Sequence, residues 1–406
     1  MTETNITQFS NSFRVASYFD KASKGASLCL WVKTGACCDP ENKEGLSHLL
    51  EHTLFGLRKS ANISHIYSSI INSQLNIKAF TKAEHTAFII NSVDKSDLKK
   101  YIDILWEIYS GRWLSDEALY DAKIDISKEI DELSKDPEKI LFEVLDSVCF
   151  PSQSYGRRIT GTKETIHRIK VDDLVSFQKH HYAPEQSLIC ACGNIEHQQL
   201  VDFTEAKFSS FPKNLSFALP SSKWFGGIRK IKSVDKETRL ACALPFETKG
   251  SEQYYFYWIL SYLLSKKTNN VLLTALKREH ISCDTLNVYP EFLSHFSRMQ
   301  IYLNTSDVNI HTIMKIIMDE LSLITFSKAE YLLKNVGDLE ITSSLKLFKL
   351  KNRNIEHLAM GLGEYNLFPS EIPFPKSIDD IKGNLDLILE NLYQENKLAI
   401  AYSVAY

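Results

Sequence analysis

The sequence predicts an α/β or α+β fold in two halves of similar length, each with helices packed on a sheet. Three observations lead there. Apolar strand-like runs alternate with helix-period runs along the whole chain instead of segregating. A shift in composition between about Phe211 and Gly227, carrying Pro212, Pro220, Ser221, Ser222 and a glycine pair, reads as a linker. After that linker the order of elements recurs. With 406 residues, 44% of them hydrophobic, the chain can bury cores for two or more domains.

In order, strands are expected at about 12–19 and 26–36. Gly45 to Gly56 follows as a helix with Leu46, Leu49, Leu50 and Leu54 on one side. A helix near 62–73 has Ile63, Ile66, Ile70 and Ile71 at helical spacing, and 75–81 with 85–93 alternate as a hairpin across Lys82-Ala83-Glu84. Ser96 opens a helix with the seam Leu98, Ile102, Leu105 and Ile108, closed at Gly111. Ser115 caps the next helix, Asp116 and Glu117 sit in its first turn where the dipole favours acids, and Asp136-Pro137 ends it. Helices near 137–148 and 171–181, a strand at 187–193 and a helix at 197–209 complete the first half. The second half reads as a strand at 239–245, helices at 251–265 and 268–280, and strands at 283–289 and 298–303. Helices near 308–323, 327–345, 353–361 and 377–395 and a strand at 397–405 close it. The expected division is therefore 1–210, a linker at 211–227, and 228–406, with no repeat visible residue by residue.

Two helices carry the chemistry. His48, Glu51 and His52 stand in the order H-x-x-E-H, the inverted zinc-peptidase spacing. At 3.6 residues per turn the two imidazoles lie one above the other with the carboxylate on the same stripe, opposite the leucines. On the helix after Ser115, Leu119, Ala122, Ile126, Glu129 and Leu133 recur at steps of three and four, which places Glu129 in a buried seam. A carboxylate there needs a positive partner, and no arginine occupies a helical neighbour position on that stripe. A metal would serve: two imidazoles and a carboxylate leave a tetrahedral zinc with one open position, the catalytic arrangement. The alternative is a slightly rotated helix with Ile130 inward and Glu129 at the surface.

Beyond those helices, several stretches fall in a familiar order: Phe13-Arg14-Val15-Ala16-Ser17, Leu30-Trp31-Val32-Lys33-Thr34-Gly35, Glu44-Gly45-Leu46-Ser47-His48, the run from Gly156 to Ile166, and His181-Tyr182-Ala183-Pro184 with Gly193-Asn194-Ile195. On these, Phe13 to about Val201 resembles the N-terminal half of the pitrilysin and mitochondrial processing peptidase family, closest to its beta-subunit type and bacterial relatives. The resemblance implies an α+β fold of two related domains, each a mostly antiparallel sheet covered by helices, forming half of a clamshell. It implies one zinc per chain held by His48, His52 and Glu129, with Glu51 as the base that takes a proton from water and passes it to the leaving amine. It also implies that the strand Ile77–Thr81, through Ala79, Phe80 and Thr81, takes the peptide substrate as an added strand. Two departures stand out. Ala122 replaces a glutamate frequent in the family seven residues before the third ligand. In the second half, where the family carries an arginine and a tyrosine seven apart, the chain has Lys277 and Asp284, and Arg278 and Tyr289 are eleven apart. Lysine lacks the flat fork of arginine, and an ionised aspartate repels an oxyanion.

The resulting expectation is a zinc metalloendopeptidase cutting short unfolded or leader-type peptides, as the catalytic subunit of a heterodimer whose related partner supplies the missing pair. The alternatives are a homodimer or monomer, or a structural subunit of the same fold; that all four metal-site residues are present favours the enzyme. A net charge of -3 and a pI of about 6.5 argue against nucleic acid or an acidic membrane as partner. The eight cysteines form no C-x-x-C pair and read as free thiols of a reducing compartment. His280, His295, His311 and His357 read as surface or satisfied core residues. No apolar run reaches bilayer length, and the start Met1-Thr2-Glu3-Thr4-Asn5 resembles no targeting signal. A cytoplasmic protein is expected, or one of an organelle matrix in a eukaryotic host.

Overall fold

Ala26–Val32 and Ser187–Gly193 are apolar throughout and buried at every residue, because each becomes an inner strand covered on both faces. A computed structural model describes residues 4–55, 76–213, 217–232, 235, 237–246, 257, 260–261, 264–265, 270–306, 309–322 and 398–404. The helices expected at 62–73, 327–345, 353–361 and 377–395, and most of 251–265, lie outside these. The first sheet comprises β1 (Thr4–Gln8), β2 (Arg14–Phe19), β3 (Ala26–Val32), β4 (Asn76–Thr81), β5 (Thr86–Val93) and β6 (Ser187–Gly193). Its spatial order is β1-β2-β6-β3-β5-β4, antiparallel throughout except for β2 beside β6.

One face of this sheet, with Val15, Leu28, Leu30, Val32, Phe88, Ile90 and Ile189, joins the main core with helix residues. The other face gathers Cys29, Trp31, Ile89, Leu188, Cys190 and Cys192 in a smaller cluster. The helices following these strands are α1 (Leu46–Phe55), α2 (Leu98–Ser110), α3 (Asp116–Leu133), α4 (Pro137–Cys149), α5 (Lys163–Arg168), α6 (Val171–His181) and α7 (His197–Phe208). Sequence signals set their ends: Gly111 closes α2 in the left-handed region at φ 62°, and the Asp136 side chain caps α4, which has Pro137 in its first turn. β3 stops at Val32, short of the expected residue 36, because Ala36–Cys38 winds into a 3-10 turn.

The second sheet comprises β7 (Gly227–Lys232), β8 (Thr238–Phe246), β9 (Thr285–Phe292), β10 (Ser297–Thr305) and β11 (Ala399–Val404), accompanied by α8 (Val271–Arg278) and α9 (Ile310–Ser322). Its order is β7-β11-β8-β10-β9, again antiparallel except where the first strand runs beside the last. Strand for strand this is the order β2-β6-β3-β5-β4, so the two halves share one topology, and β1 is the addition in the first. The expected α+β class with two helix-covered, mostly antiparallel sheets holds.

By contacts the described chain forms two compact units, dividing at Pro220/Ser221, but Glu132–Arg157 groups with the later residues rather than with its sequence neighbours. The reason is local to the second unit. α4 buries Leu141, Leu145 and Cys149 and packs on β7, β8 and β11. Its Asp146 meets the Arg298 guanidinium at 2.5 Å, with Glu291 also at 2.5 Å from Arg298. A buried cation needs such partners, and the two carboxylates tie α4 to β10 and β9.

Candidate active site

The position of α1 is fixed at its start by Asp39, just after the 3-10 turn. Its carboxylate accepts the backbone N–H of Gly45 at 2.7 Å and of Ser47 at 2.9 Å, and the Ser47 hydroxyl at 2.5 Å, so a residue outside the helix serves as its cap. Burial pushes the Asp39 carboxyl up to about 7 against these donors. Gly45 has φ 91°, and a Cβ there would stand 2.6 Å from the Thr160 carbonyl oxygen. Thr165 Oγ1 donates to the Glu44 carbonyl at 2.8 Å. The stretch from Gly156 to Ile166 thus braces the approach to α1.

On α1, His48 and Glu51 are buried, whereas His52 is half-buried. Across from them α3 brings Glu129, whose Oε2 lies 3.4 Å from His52 Nε2 and 3.7 Å from His48 Nε2. One ligand atom from each of His48, His52 and Glu129 falls within 4.8 Å of the others, and among the described residues no other group of three such side chains does so. The α3 seam of Leu119, Ala122 and Ile126 is buried as expected. Glu129 sits at its flank with 37% of its side chain exposed and turns to the imidazoles, while Ile130 packs on the core beside it. The two orientations weighed from the sequence are therefore both partly realised.

The electrostatics separate the groups. Burial, then the neighbouring His52, lowers the His48 pKa to about 4, so its imidazole is neutral near pH 7. For His52 burial acts in the same direction, but the Glu129 hydrogen bond and the charges of Glu51, Glu129 and Asp125 outweigh it and the pKa is raised. The His52 hydrogen bond holds the Glu129 carboxyl below its usual range. Glu51, with Oε2 4.0 Å from His48 Nε2, is pushed up to about 7, chiefly by burial.

Thr81 Oγ1 donates to Glu51 Oε2 at 3.0 Å, which sets the end of β4 against the motif helix. β4 is the edge of its sheet and, among the described residues, pairs only with β5. At the hairpin end Lys82 N–H donates to the His85 carbonyl at 2.8 Å. Antiparallel rungs alternate, so the backbone groups of Phe80 and Lys78 also point to β5, and those of Ile77, Ala79 and Thr81 point away. Of the three residues expected to meet an added strand, Ala79 and Thr81 present backbone groups outward and Phe80 does not; its ring packs edge-on against Trp31. Asp39 was not found from the sequence, because a cap supplied from outside the helix leaves no local pattern. In the second unit, Lys277 and Arg278 end α8, and both are exposed, as are Asp284 and Tyr289.

Two family profiles match consecutive stretches: Insulinase (Peptidase family M16) over residues 14–163 and Peptidase M16 inactive domain over residues 168–331. The chain is 26% identical over 210 residues to the mitochondrial-processing peptidase subunit beta of Neurospora crassa, covering 52% of this chain and 44% of that protein. The chain thus spans about half the length of the curated relatives it matches. A chain of complex III2 from Candida albicans superposes with a TM-score of 0.81 at 16% identity, over 98% of this chain and 95% of that one. A protease from Helicobacter pylori does so with a TM-score of 0.80 at 14% identity, over 99% of both chains. These structures share the fold.

Proposed function

Because the chain belongs to peptidase family M16, we propose that it is a zinc metalloendopeptidase for short unfolded or leader-type peptides, with His48, His52 and Glu129 as metal ligands and Glu51 as the general base. The observation that carries this reading is the convergence of two Nε2 atoms and a carboxylate oxygen beside a second, buried carboxylate. The donor set suits zinc: His48 is neutral and offers its lone pair, and Glu129 is ionised. Zinc, when bound, would supply a Lewis acid for the scissile carbonyl.

The remaining steps belong to the chain. Burial raises the basicity of the Glu51 carboxylate, so it can take a proton from the attacking water at Oε1 or Oε2 and return it to the leaving amine. Thr81 holds one of those oxygens, and the outward N–H and C=O of Ala79 and Thr81 would pair with an extended peptide laid along β4. Such pairing reads backbone rather than side chains and tolerates many sequences. Phe80 contributes by anchoring the strand.

Lys277 and Asp284 are the reason to propose a heterodimer with a related chain that brings an arginine–tyrosine pair. A partner-subunit role without chemistry is the second reading, favoured by the same two residues and by the likeness to a complex III2 chain. A cytoplasmic or organelle-matrix location fits; among the described residues no helix is long and apolar enough to cross a membrane.

The test is metal content and cleavage of a random peptide pool, with the chain alone and co-expressed with a related neighbour. Zinc bound stoichiometrically, lost in His52→Ala and kept in Glu51→Gln with turnover down about a hundredfold or more, is the expected outcome. Full activity in Glu51→Gln, or a protein without metal and without cleavage in either preparation, would refute the enzymatic reading. Robust cleavage by the single chain would refute the heterodimer.

A further inference from the structure

The shared strand order exposes one difference between the sheets. In the first, the outer side of β2 is covered by β1, which runs antiparallel to it from Thr4 opposite Tyr18 to Gln8 opposite Arg14. In the second, the matching strand is β7, and among the described residues it pairs only with β11. β7 is also open to solvent: Gly227, Ile228, Arg229, Lys230 and Lys232 are all exposed. Ile228 keeps 64% of its surface and Phe225, just before the strand, 41%. An exposed edge with unpaired backbone groups and apolar side chains is a template for an added strand.

Register decides which groups are available. Gly227 N–H donates to the Leu398 carbonyl at 2.9 Å, and backbone groups alternate along a strand. The groups of Gly227, Arg229 and Ile231 therefore face β11, and those of Ile228, Lys230 and Lys232 face outward. Charge decides what can approach. Between Lys223 and Lys232 the chain carries Lys223, Arg229, Lys230 and Lys232 and no acidic residue. Three cations on the strand, Lys230, Lys232 and Arg229, the last with a hydrogen bond to Ser147, and Lys223 just before it repel a second copy of that edge and attract carboxylates.

We propose that β7 is a docking edge for an extended acidic segment of a partner polypeptide, which adds antiparallel to β7 as β1 adds to β2. Its backbone pairs with Ile228, Lys230 and Lys232, and its carboxylates meet Lys230 and Lys232 on the face of the strand that these share with Ile228. The inference does not depend on peptidase activity.

The experiment uses the full chain carrying Glu51→Gln, so that the probe is not consumed, and a fluorescein-labelled decapeptide of alternating glutamate and valine. Anisotropy should rise saturably with a Kd of about 10–100 μM. Lys230→Pro removes an outward N–H and a charge without touching a rung to β11, and should weaken binding at least about tenfold. Methylating alternate backbone nitrogens of the probe should do the same. The double charge reversal Lys230→Glu, Lys232→Glu, which keeps the backbone intact if the proline variant fails to fold, should transfer preference to a lysine–valine decapeptide. Ala79→Pro, which weakens peptide binding at the β4 edge, should leave intact the component of binding that Lys230→Pro removes. The proposal is overturned if binding is not saturable or if the methylated probe or dextran sulfate binds as well. It is overturned equally if Ala79→Pro rather than Lys230→Pro abolishes binding, or if Lys230→Pro dissolves a self-associated dimer in place of a peptide complex.

Discussion

Replacing Glu51 by glutamine should make the metal-free protein more stable at alkaline pH while removing its base. Burial pushes the Glu51 carboxyl up to about 7 from an ordinary 4.5, against the opposing charge of His52 and the Thr81 hydrogen bond. An acid whose pKa is raised on folding binds its proton more tightly in the folded state. Its stabilising contribution is complete below 4.5 and is lost as pH rises through about 7. A span of about 2.5 units at about 1.36 kcal/mol per unit gives about 3 kcal/mol. Glu51 is only 4% exposed, so solvent screening takes little from this figure. Glutamine keeps the shape of the protonated acid and cannot ionise. Glu51→Gln and wild type should therefore match near pH 4.5 and separate by about 3 kcal/mol near pH 8, or about 6–12 °C in Tm for a structural unit of this size. Scanning calorimetry with a chelator present, at several pH values, measures the difference. A gap that does not widen with pH, or a wild type that is the more stable near pH 8, would refute the reasoning.

Thr81→Val keeps the branched shape and deletes only the hydroxyl that holds Glu51 at 3.0 Å. With about 1.5–3 kcal/mol at stake in a charge-assisted bond, kcat should fall about tenfold with zinc affinity unchanged, and an unaltered kcat would count against Thr81 as a positioning residue. Ala79→Pro removes an outward donor and should weaken peptide binding with little loss of stability. Phe80→Pro removes a rung to β5 and should destabilise by about 3 kcal/mol; peptide titration and urea melts of the pair separate the two effects. Gly45→Ala forces a Cβ to 2.6 Å from the Thr160 carbonyl at φ 91° and should lower stability by about 1–3 kcal/mol, with zinc affinity reporting any shift of α1.

What could be read from the chain beforehand was what local periodicity writes. His48, Glu51 and His52 share a stripe because three- and four-residue spacing guarantees it on any helix, and the α3 seam announced itself in the same way. The inner strands β3 and β6 were visible as unbroken apolar runs. The edge strands β1 and β7 were not: Thr-Asn-Ile-Thr-Gln and Gly-Ile-Arg-Lys-Ile-Lys bury little, so no hydrophobic alternation is required of them. Asp39 acts on a helix it does not belong to. Which rungs of β4 face outward depends on how the hairpin closes at Lys82 and His85, and a one-residue change there would exchange Ala79 and Phe80. That the halves are related was legible as a recurring order of elements, whereas the strand order they share was not, since it survives in topology and not in residues.

The grouping of Glu132–Arg157 with residues from Ser221 onward bears on how this protein can be cut and expressed. A plasmid encoding only the chain after the 211–227 linker would omit α4. It would leave the face of the sheet that carries Ala241 and Tyr302, together with the Arg298 guanidinium, without the helix that brings Phe142 and Asp146 to them. The cation would then keep only Glu291 as a partner beside a half-stripped sheet, an outcome that favours precipitation over a soluble fragment. A soluble version of that half would have to carry residues 132–157 as well, grafted by a linker or supplied as a separate peptide, and the amount of peptide needed to rescue solubility would measure how strongly the helix is held.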